Sequence, residues 1–331
     1  SLFDTLIIRP GSHIQIDPLF GIAFNHIVCE GTKDSMIVFT KNINDYGRWS
    51  GIESFRDEAV FKYTIFEYAS PIQRPALVGP EDKVSFEDCI FRYNYLGLNG
   101  NDLIALRGNS YMTRCLFEDN HAYSRRLVNI DRYNRGWTGE LSNNIFTGNY
   151  TEHPSQVFPI VTIYNSSSLQ SVSNNTLLKN RYNQEGDGYT IGTWNSTLPK
   201  FQINYLDSNY FGSSNTSNIE RMIFDFTDNA TLPPINGSIH HLEKPKAETH
   251  GHVWKVELDT TDINILNNPI PKQLGLGTHK VNVYFNRAMD VGVTPFVTFG
   301  VRQPYTQNII GDSTSWSSDS LIWTGYFTVD Q

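Results

Sequence analysis

Arg107, Asp131, Arg132, Tyr164 and Trp194 are the residues whose types and spacing come nearest to chemistry on a sugar chain. They end a series of short apolar-alternating runs: LIALRG (103–108), RLVNIDR (126–132), PIVTIYN (159–165) and GYTIGTW (188–194). Asp225, in RMIFDFTD (221–228), continues the series. Alternate residues of a strand share a face, so stacked runs would bring these ends into one outward column, with Arg107 over Asp131. Such a face would form a polar groove for a sugar chain. The same pattern also suits a solvated cross-strand ion pair worth about 0.2–1 kcal/mol. Aromatic rings are abundant near these runs, and exposed rings offer rigid apolar area with a polar tip. Trp137, Tyr164 and Trp194 are the first choices for glycan contact.

Other chemistries find less support. His240, His241, His250 and His252 lie near Glu243, Glu248 and Glu257, but no H-x-x-x-H spacing accompanies them, and no metal site is expected. The net charge is −8, only 18% of residues are charged, and no Lys/Arg block occurs. This disfavours nucleic acid and anionic membranes as partners. No run of eighteen apolar residues exists to span a bilayer. Three cysteines, Cys29, Cys89 and Cys115, exclude a disulfide-framework miniprotein. Sequons at Asn149, Asn165, Asn174, Asn195, Asn215, Asn229 and Asn236 suit a secreted, glycosylated protein. Ser1 in place of an initiator methionine reads as the start of a mature or excised piece.

The elements that would position these residues come from repetition. A short phrase recurs as KYTIFEYA (62–69), EDCIFRYN (87–94), TRCLFEDN (113–120), NNIFTGN (143–149), NNTLLKN (174–180) and DSNYFGSS (207–214). Its apolar anchors are Phe66, Phe91, Phe117, Phe146, Leu177 and Phe211, at intervals of 25, 26, 29, 31 and 34 residues. Each unit holds two short strands and a tight turn, and none of it has helical period. Such strands cannot bury a face alone, but stacked as parallel coils they pile like residues into files. Phe66, Phe91, Phe117 and Phe146 form the expected file, with Cys89 over Cys115 two residues earlier. Asn94, Asn120, Asn149 and Asn180, three residues after the anchor, form an expected amide ladder. Asn149 is both a ladder position and a sequon, and the buried ladder role should prevail.

The phrase with its trailing Asn resembles the coil of right-handed parallel β-helix proteins, the pectate-lyase-like superfamily. GTKDSMIVFT (31–40), GRWSGIESF (47–55) and AVFKYTIFEYA (59–69) are similar to the opening coils of microbial surface β-helix proteins. That resemblance implies a secreted or surface protein, and many members cleave acidic polysaccharides. Yet no Asp-Asp pair occurs, Gly251-His252 is followed by Val, and Gly186-Asp187-Gly188 has no partner motif. For a pectate-type lyase, with Ca²⁺ on an acidic cluster and an Arg or Lys base, the closest approach is the Arg107/Asp131/Arg132 face.

From residue 245 the character changes. EKPKAETHGH (243–252) and NNPIPKQLGLGTH (267–279) read as connections, with strands in HVWKVELDTTDINIL (252–266). KVNVYFNRAMDVGVTPFVTFG (280–300) and WSSDSLIWTGYFTVD (316–330) resemble part of an Ig-like β-sandwich module. The expected fold is therefore all-β: a right-handed parallel β-helix solenoid over 1–245, a strand-containing connection over 246–279, and an incomplete Ig-like segment over 280–331. The expected function is a non-catalytic extracellular or cell-surface protein with a structural, adhesive or glycan-contacting role. The alternatives are a polysaccharide lyase or glycoside hydrolase on an acidic glycan, and a self-assembling filament or sheath subunit. Asn165, Asn195, Asn215, Asn229 and Asn236 are the glycosylation candidates. No cofactor is expected, Ca²⁺ aside in the lyase case.

Overall fold

A computed structural model describes residues 5–42, 47–54, 59–70, 83–97, 102–106, 109–131, 139–153, 155–164, 172–183, 189–194, 204–206, 208–213, 215–232, 234–236, 244–259, 261–262, 274–300, 302–304 and 306–330. The chain divides into two compact units, Ser1–Thr249 and His250–Gln331.

The first unit is a parallel β-solenoid of about five turns. Two of its sheets are seven strands deep. One runs from Thr5–Ile8 through His26–Glu30, Ala59–Lys62, Val84–Glu87, Tyr111–Thr113 and Glu140–Ser142 to Val172–Ser173. The second holds the recurring phrase, from His13–Ile16 and Ile37–Lys41 to Thr176–Leu178. A third stacks Tyr95–Leu96, His121–Tyr123, Tyr150–Glu152 and Arg181–Tyr182. A fourth stacks Ile104–Leu106, Val128–Asp131, Val161–Tyr164, Ile191–Trp194 and Ile223–Phe224.

Phe66, Phe91, Phe117, Phe146 and Leu177 pair in direct register, as their phase requires. The rings stack at 5.0 Å, 4.5 Å and 4.6 Å along the file. The file is one coil longer than the phrase suggested, because Phe39 stacks on Phe66 at 5.4 Å. A second file, Phe61 on Phe86, meets it edge to face.

The corners explain the asparagines. Each coil enters its anchor strand through one left-handed residue: Tyr63, Asp88, Arg114, Asn143, Asn174 or Ser208. It leaves through another: Tyr68, Tyr93, Asp119, Gly148 or Lys179. For an L side chain this conformation costs about 1–2 kcal/mol. The residue after each exit corner is where the amide ladder stands. Asn94, Asn120 and Asn149 each donate Nδ2 to the next rung's Oδ1 at 2.9 Å, ending on Asn180. The same nitrogens also reach the carbonyls of Phe66, Phe91 and Phe117. The upper end is closed by the Ala69 backbone N–H, which donates to Asn94 Oδ1.

A second ladder, not anticipated from sequence, follows the entry corners. Asn144 donates to Asn175, and Asn175 to Asn209, each at 3.0 Å. Their nitrogens also bond the carbonyls of Met112, Leu141 and Val172. Higher in the same file stand Cys115 and Cys89. The Cys89 thiol donates to Phe61 O, the carbonyl in register with those of Phe86 and Met112. It thereby takes the amide's role in thinner form. All three cysteines are buried and unbridged, and burial raises the Cys29 and Cys115 thiols well above their ordinary range.

The outward face of the phrase sheet carries an apolar stripe of Ile65, Ile90, Leu116 and Ile145, over which Ala247 packs. The solenoid unit thus extends past the expected boundary at 245.

The second unit is an antiparallel sheet ordered Thr261–Asp262, Val253–Leu258, Gly277–Phe285, Ile322–Val329 and Asp312–Trp316. A two-stranded pair, Thr298–Phe299 with Asn308–Ile309, accompanies it. Val281, Val283, Phe285, Ile310, Trp323 and Phe327 form its core. Val253–Leu258, read from sequence as part of the connection, pairs along Gly277–Phe285 and so belongs to this unit.

Candidate functional site

The column foreseen on the fourth sheet exists in part. Asp131, Tyr164 and Trp194 are direct register partners on three successive coils. Arg107, Arg132 and Trp137 lie outside the described residues, as do the side chains of Asp131 and Tyr164. Trp194 is half-buried, stacked on Phe158 at 5.3 Å, with the Arg126 guanidinium 4.7 Å from its ring centre. Arg126 also lies 3.7 Å from Asp102. The indole is thus committed to neighbours of its own fold.

Asp225 does not continue the column. Ile191 pairs with Ile223 and Gly192 with Phe224, so the next step sets Asp225 beside Thr193 on the inward side. A slip of one residue reverses the face of a strand residue. Asp225 is 1% exposed. Its carboxylate accepts from Thr227 N and Oγ1, both at 2.9 Å, and from the Ile235 backbone N–H. It is a buried turn-former, not part of a sugar groove.

A different face brings more chemistry together. Beside the exit corners, the outward side of the third sheet carries Tyr95, His121, Tyr150 and Arg181 in register. The corner file next to it reads Tyr68, Tyr93, Asp119, Gly148 and Lys179. Tyr68 and Tyr93 stack at 5.7 Å, and His121 lies 4.9 Å from Tyr95 and 4.7 Å from Tyr150. Tyr68 and Tyr93 spend a ring face on one another. Arg48 over Tyr95 and Arg92 over Tyr93 cover more of this surface.

The corner file breaks at Gly148. A Cβ there would fall 2.5 Å from Asp119 Oδ1, so Asp119 folds into the space that glycine leaves. Below it opens a notch of about 600 Å³ lined by Asp119, Gly148, Tyr150, Lys179, Arg181 and Asn183. Tyr150 forms its wall. The Tyr150 hydroxyl donates to Glu152 at 2.8 Å, and Glu152 also meets His121 Nε2 at 2.8 Å. Partial burial, then this hydrogen bond, push the Tyr150 phenol up to about 12, so at neutral pH it is a proton-bearing donor. Asn183 Oδ1 accepts the His153 backbone N–H, which holds the side chain in place. Planar polar groups beside an aromatic wall suit the hydroxyls and apolar face of a sugar ring.

Tyr93, Tyr95, Tyr150 and Tyr182 were visible in the sequence as aromatics near turns, but nothing singled them out. The usable signal is positional: residues two and four after each anchor form the two outward files. Among the described residues no group of three His, Cys, Asp or Glu side chains is placed to hold a metal.

The sequons separate by environment. Asn149 is buried with its whole amide bonded in the ladder. Asn229 is exposed, and its Oδ1 accepts from Thr231 N at 3.1 Å and Thr231 Oγ1 at 2.9 Å, leaving the nitrogen outside the turn. Asn215 is exposed at the start of the helix Thr216–Glu220, with its oxygen accepting from Ser217 N. The Asn165 and Asn195 sequons, and the Asn236 side chain, lie outside the described residues. Produced through a eukaryotic secretory route, the protein is expected to carry glycan at Asn229 and Asn215 and none at Asn149. Glycopeptide mapping reads this directly, and an occupied Asn149 would contradict the ladder.

Among known proteins, no family model, no curated sequence and no solved structure matches this chain.

Proposed function

We propose that the chain is a non-catalytic extracellular or cell-surface protein whose solenoid is a rigid scaffold and whose notch contacts a glycan. On this reading the solenoid is a right-handed β-helix of the pectate-lyase-like kind, and the second unit is an Ig-like surface module. The observation that carries the reading is the notch itself, where one tyrosine wall and four polar or charged side chains converge on about 600 Å³. Exposed sequons at Asn215 and Asn229 support exposure to a secretory route. Parallel stacking pairs most backbone groups with neighbouring coils, which suits a protein exposed to proteases.

A glycan array probed with the intact protein tests the reading. Binding is expected, and Tyr150→Ala should weaken it about tenfold by removing the wall. Hits that keep full strength in Tyr150→Ala would place the contact elsewhere. A second reading, a polysaccharide-cleaving enzyme, draws on the Tyr150–Glu152–His121 array as a proton-transfer group. New reducing ends or ultraviolet-absorbing unsaturated products, lost in His121→Ala, would favour it.

A further inference from the structure

Several outward cations of the solenoid find a carboxylate one coil away. Arg92 pairs with Glu67, Arg114 with Asp88 and Glu87, Lys62 with Glu87, and Arg126 with Asp102. Lys179 and Arg181 break this habit. Their stacking neighbours on the coil above are Gly148 and Tyr150, which make no ion pair with them, although the Asp119 carboxylate reaches into the space beside Gly148. Both are exposed, and neither meets a carboxylate among the described residues. Both line the same notch, on a chain whose net charge is −8. Two cations that face one opening and make no ion pair offer a place for an anion, and a guanidinium fork favours a planar or tetrahedral oxyanion.

The surroundings limit how much negative charge can enter. Asp119 lines the notch too: its backbone is two coils from Lys179, but its carboxylate reaches the Gly148 position one coil above it, and Glu118 precedes it. Glu152 sits behind Tyr150. With about 4.8 Å per coil, these carboxylates lie within about 10 Å of the cations, near one screening length at physiological salt. A second anionic group further along a bound chain would therefore meet like charge.

We propose that the notch selects a glycan bearing one isolated anionic group, a carboxylate or a sulfate, seated on Lys179 and Arg181, and discriminates against polyanionic chains. This rests on the glycan-contacting reading and names the class of sugar it takes. The neutral part of the ligand lies along Tyr150, and the anion is held at the lower rim.

The test is an array of matched glycans on common backbones: neutral, singly carboxylated, singly sulfated, and carboxylated on every residue. The singly charged members should give the strongest signals, with the sulfate and carboxylate arms identifying the preferred anion. Lys179→Gln and Arg181→Gln, both at exposed positions, should each weaken those signals about tenfold while leaving circular dichroism unchanged. Asp119→Asn should raise binding of the fully carboxylated chains. Neutral members bound as strongly as charged ones would overturn the anion selection and leave the glycan site standing. Fully carboxylated chains bound most tightly would also overturn it. An array without any bound member would remove both the selection and the glycan-contacting role.

Discussion

Asn149→Ala is expected to lower the unfolding free energy by about 3–5 kcal/mol, although the substitution removes no apolar surface of consequence. The Asn149 amide serves four partners at once. Its nitrogen donates to Phe117 O at 3.0 Å and to Asn180 Oδ1 at 2.9 Å. Its oxygen accepts from the Asn120 backbone N–H at 3.2 Å and from Asn120 Nδ2 at 2.9 Å. All of these groups belong to buried residues, so truncation strands donors and acceptors where solvent cannot replace the amide. Each stranded group costs about 1–3 kcal/mol, and the losses overlap because the ladder is one chain of bonds. Asn149→Leu restores volume but no polarity, so it should recover little. Asn149→Asp should do no better, because an acceptor-only carboxylate would face Phe117 O and Asn180 Oδ1. Asn229→Ala, an exposed change of the same chemistry, serves as the reference and should cost about 0.5 kcal/mol or less. Chemical denaturation followed by circular dichroism measures all four. A loss below about 1 kcal/mol for Asn149→Ala would mean that the ladder is ornamental.

This ladder was legible in the sequence because parallel coils place like on like. An asparagine three residues after an apolar anchor, repeated at Asn94, Asn120, Asn149 and Asn180, marks a side chain that bonds its own copy on the next coil. The second ladder was hidden by its own upper rungs. Its file begins Ile37, Thr64, Cys89, Cys115, and only then becomes Asn144, Asn175 and Asn209. A thiol and an amide reach the same carbonyl series there, an equivalence of geometry that residue type conceals. The notch was hidden for another reason: it arises from a missing side chain. Gly148 matters because Asp119 folds into the vacated space, and the two residues lie on different coils. Asp225 shows the limit of pattern matching on short strands, since one residue of register moves a carboxylate from solvent into a buried turn. The aromatic content was read correctly as abundant, but its orientation follows from stacking. Tyr68 stacks on Tyr93 across two coils, which no composition reveals.

Phe117→Ala tests how the fold supports the notch, and it should destabilise the solenoid by about 3–5 kcal/mol. Phe117 is fully buried, with Phe91 at 4.5 Å on one face and Phe146 at 4.6 Å on the other. Removing the ring opens a cavity in mid-stack that neither neighbour can fill, because each is held in register by its own strand pairing. Phe117→Leu should cost much less, about 1 kcal/mol, since Leu177 already fills the same file two coils below. The position carries a functional consequence as well. Phe117 leads within two residues to Asp119, the left-handed corner on the rim of the notch, and its own carbonyl receives Asn149 Nδ2. A cavity at this coil therefore loosens the rim and the ladder together. Phe117→Ala should weaken glycan binding even where the protein remains folded, whereas Phe117→Leu should preserve it. Denaturation midpoints and array signals, taken on the same preparations, separate the two effects. Full-strength binding by a clearly destabilised Phe117→Ala protein would show that the notch keeps its shape independently of the phenylalanine file, and that the core aligns the coils without shaping the surface they carry.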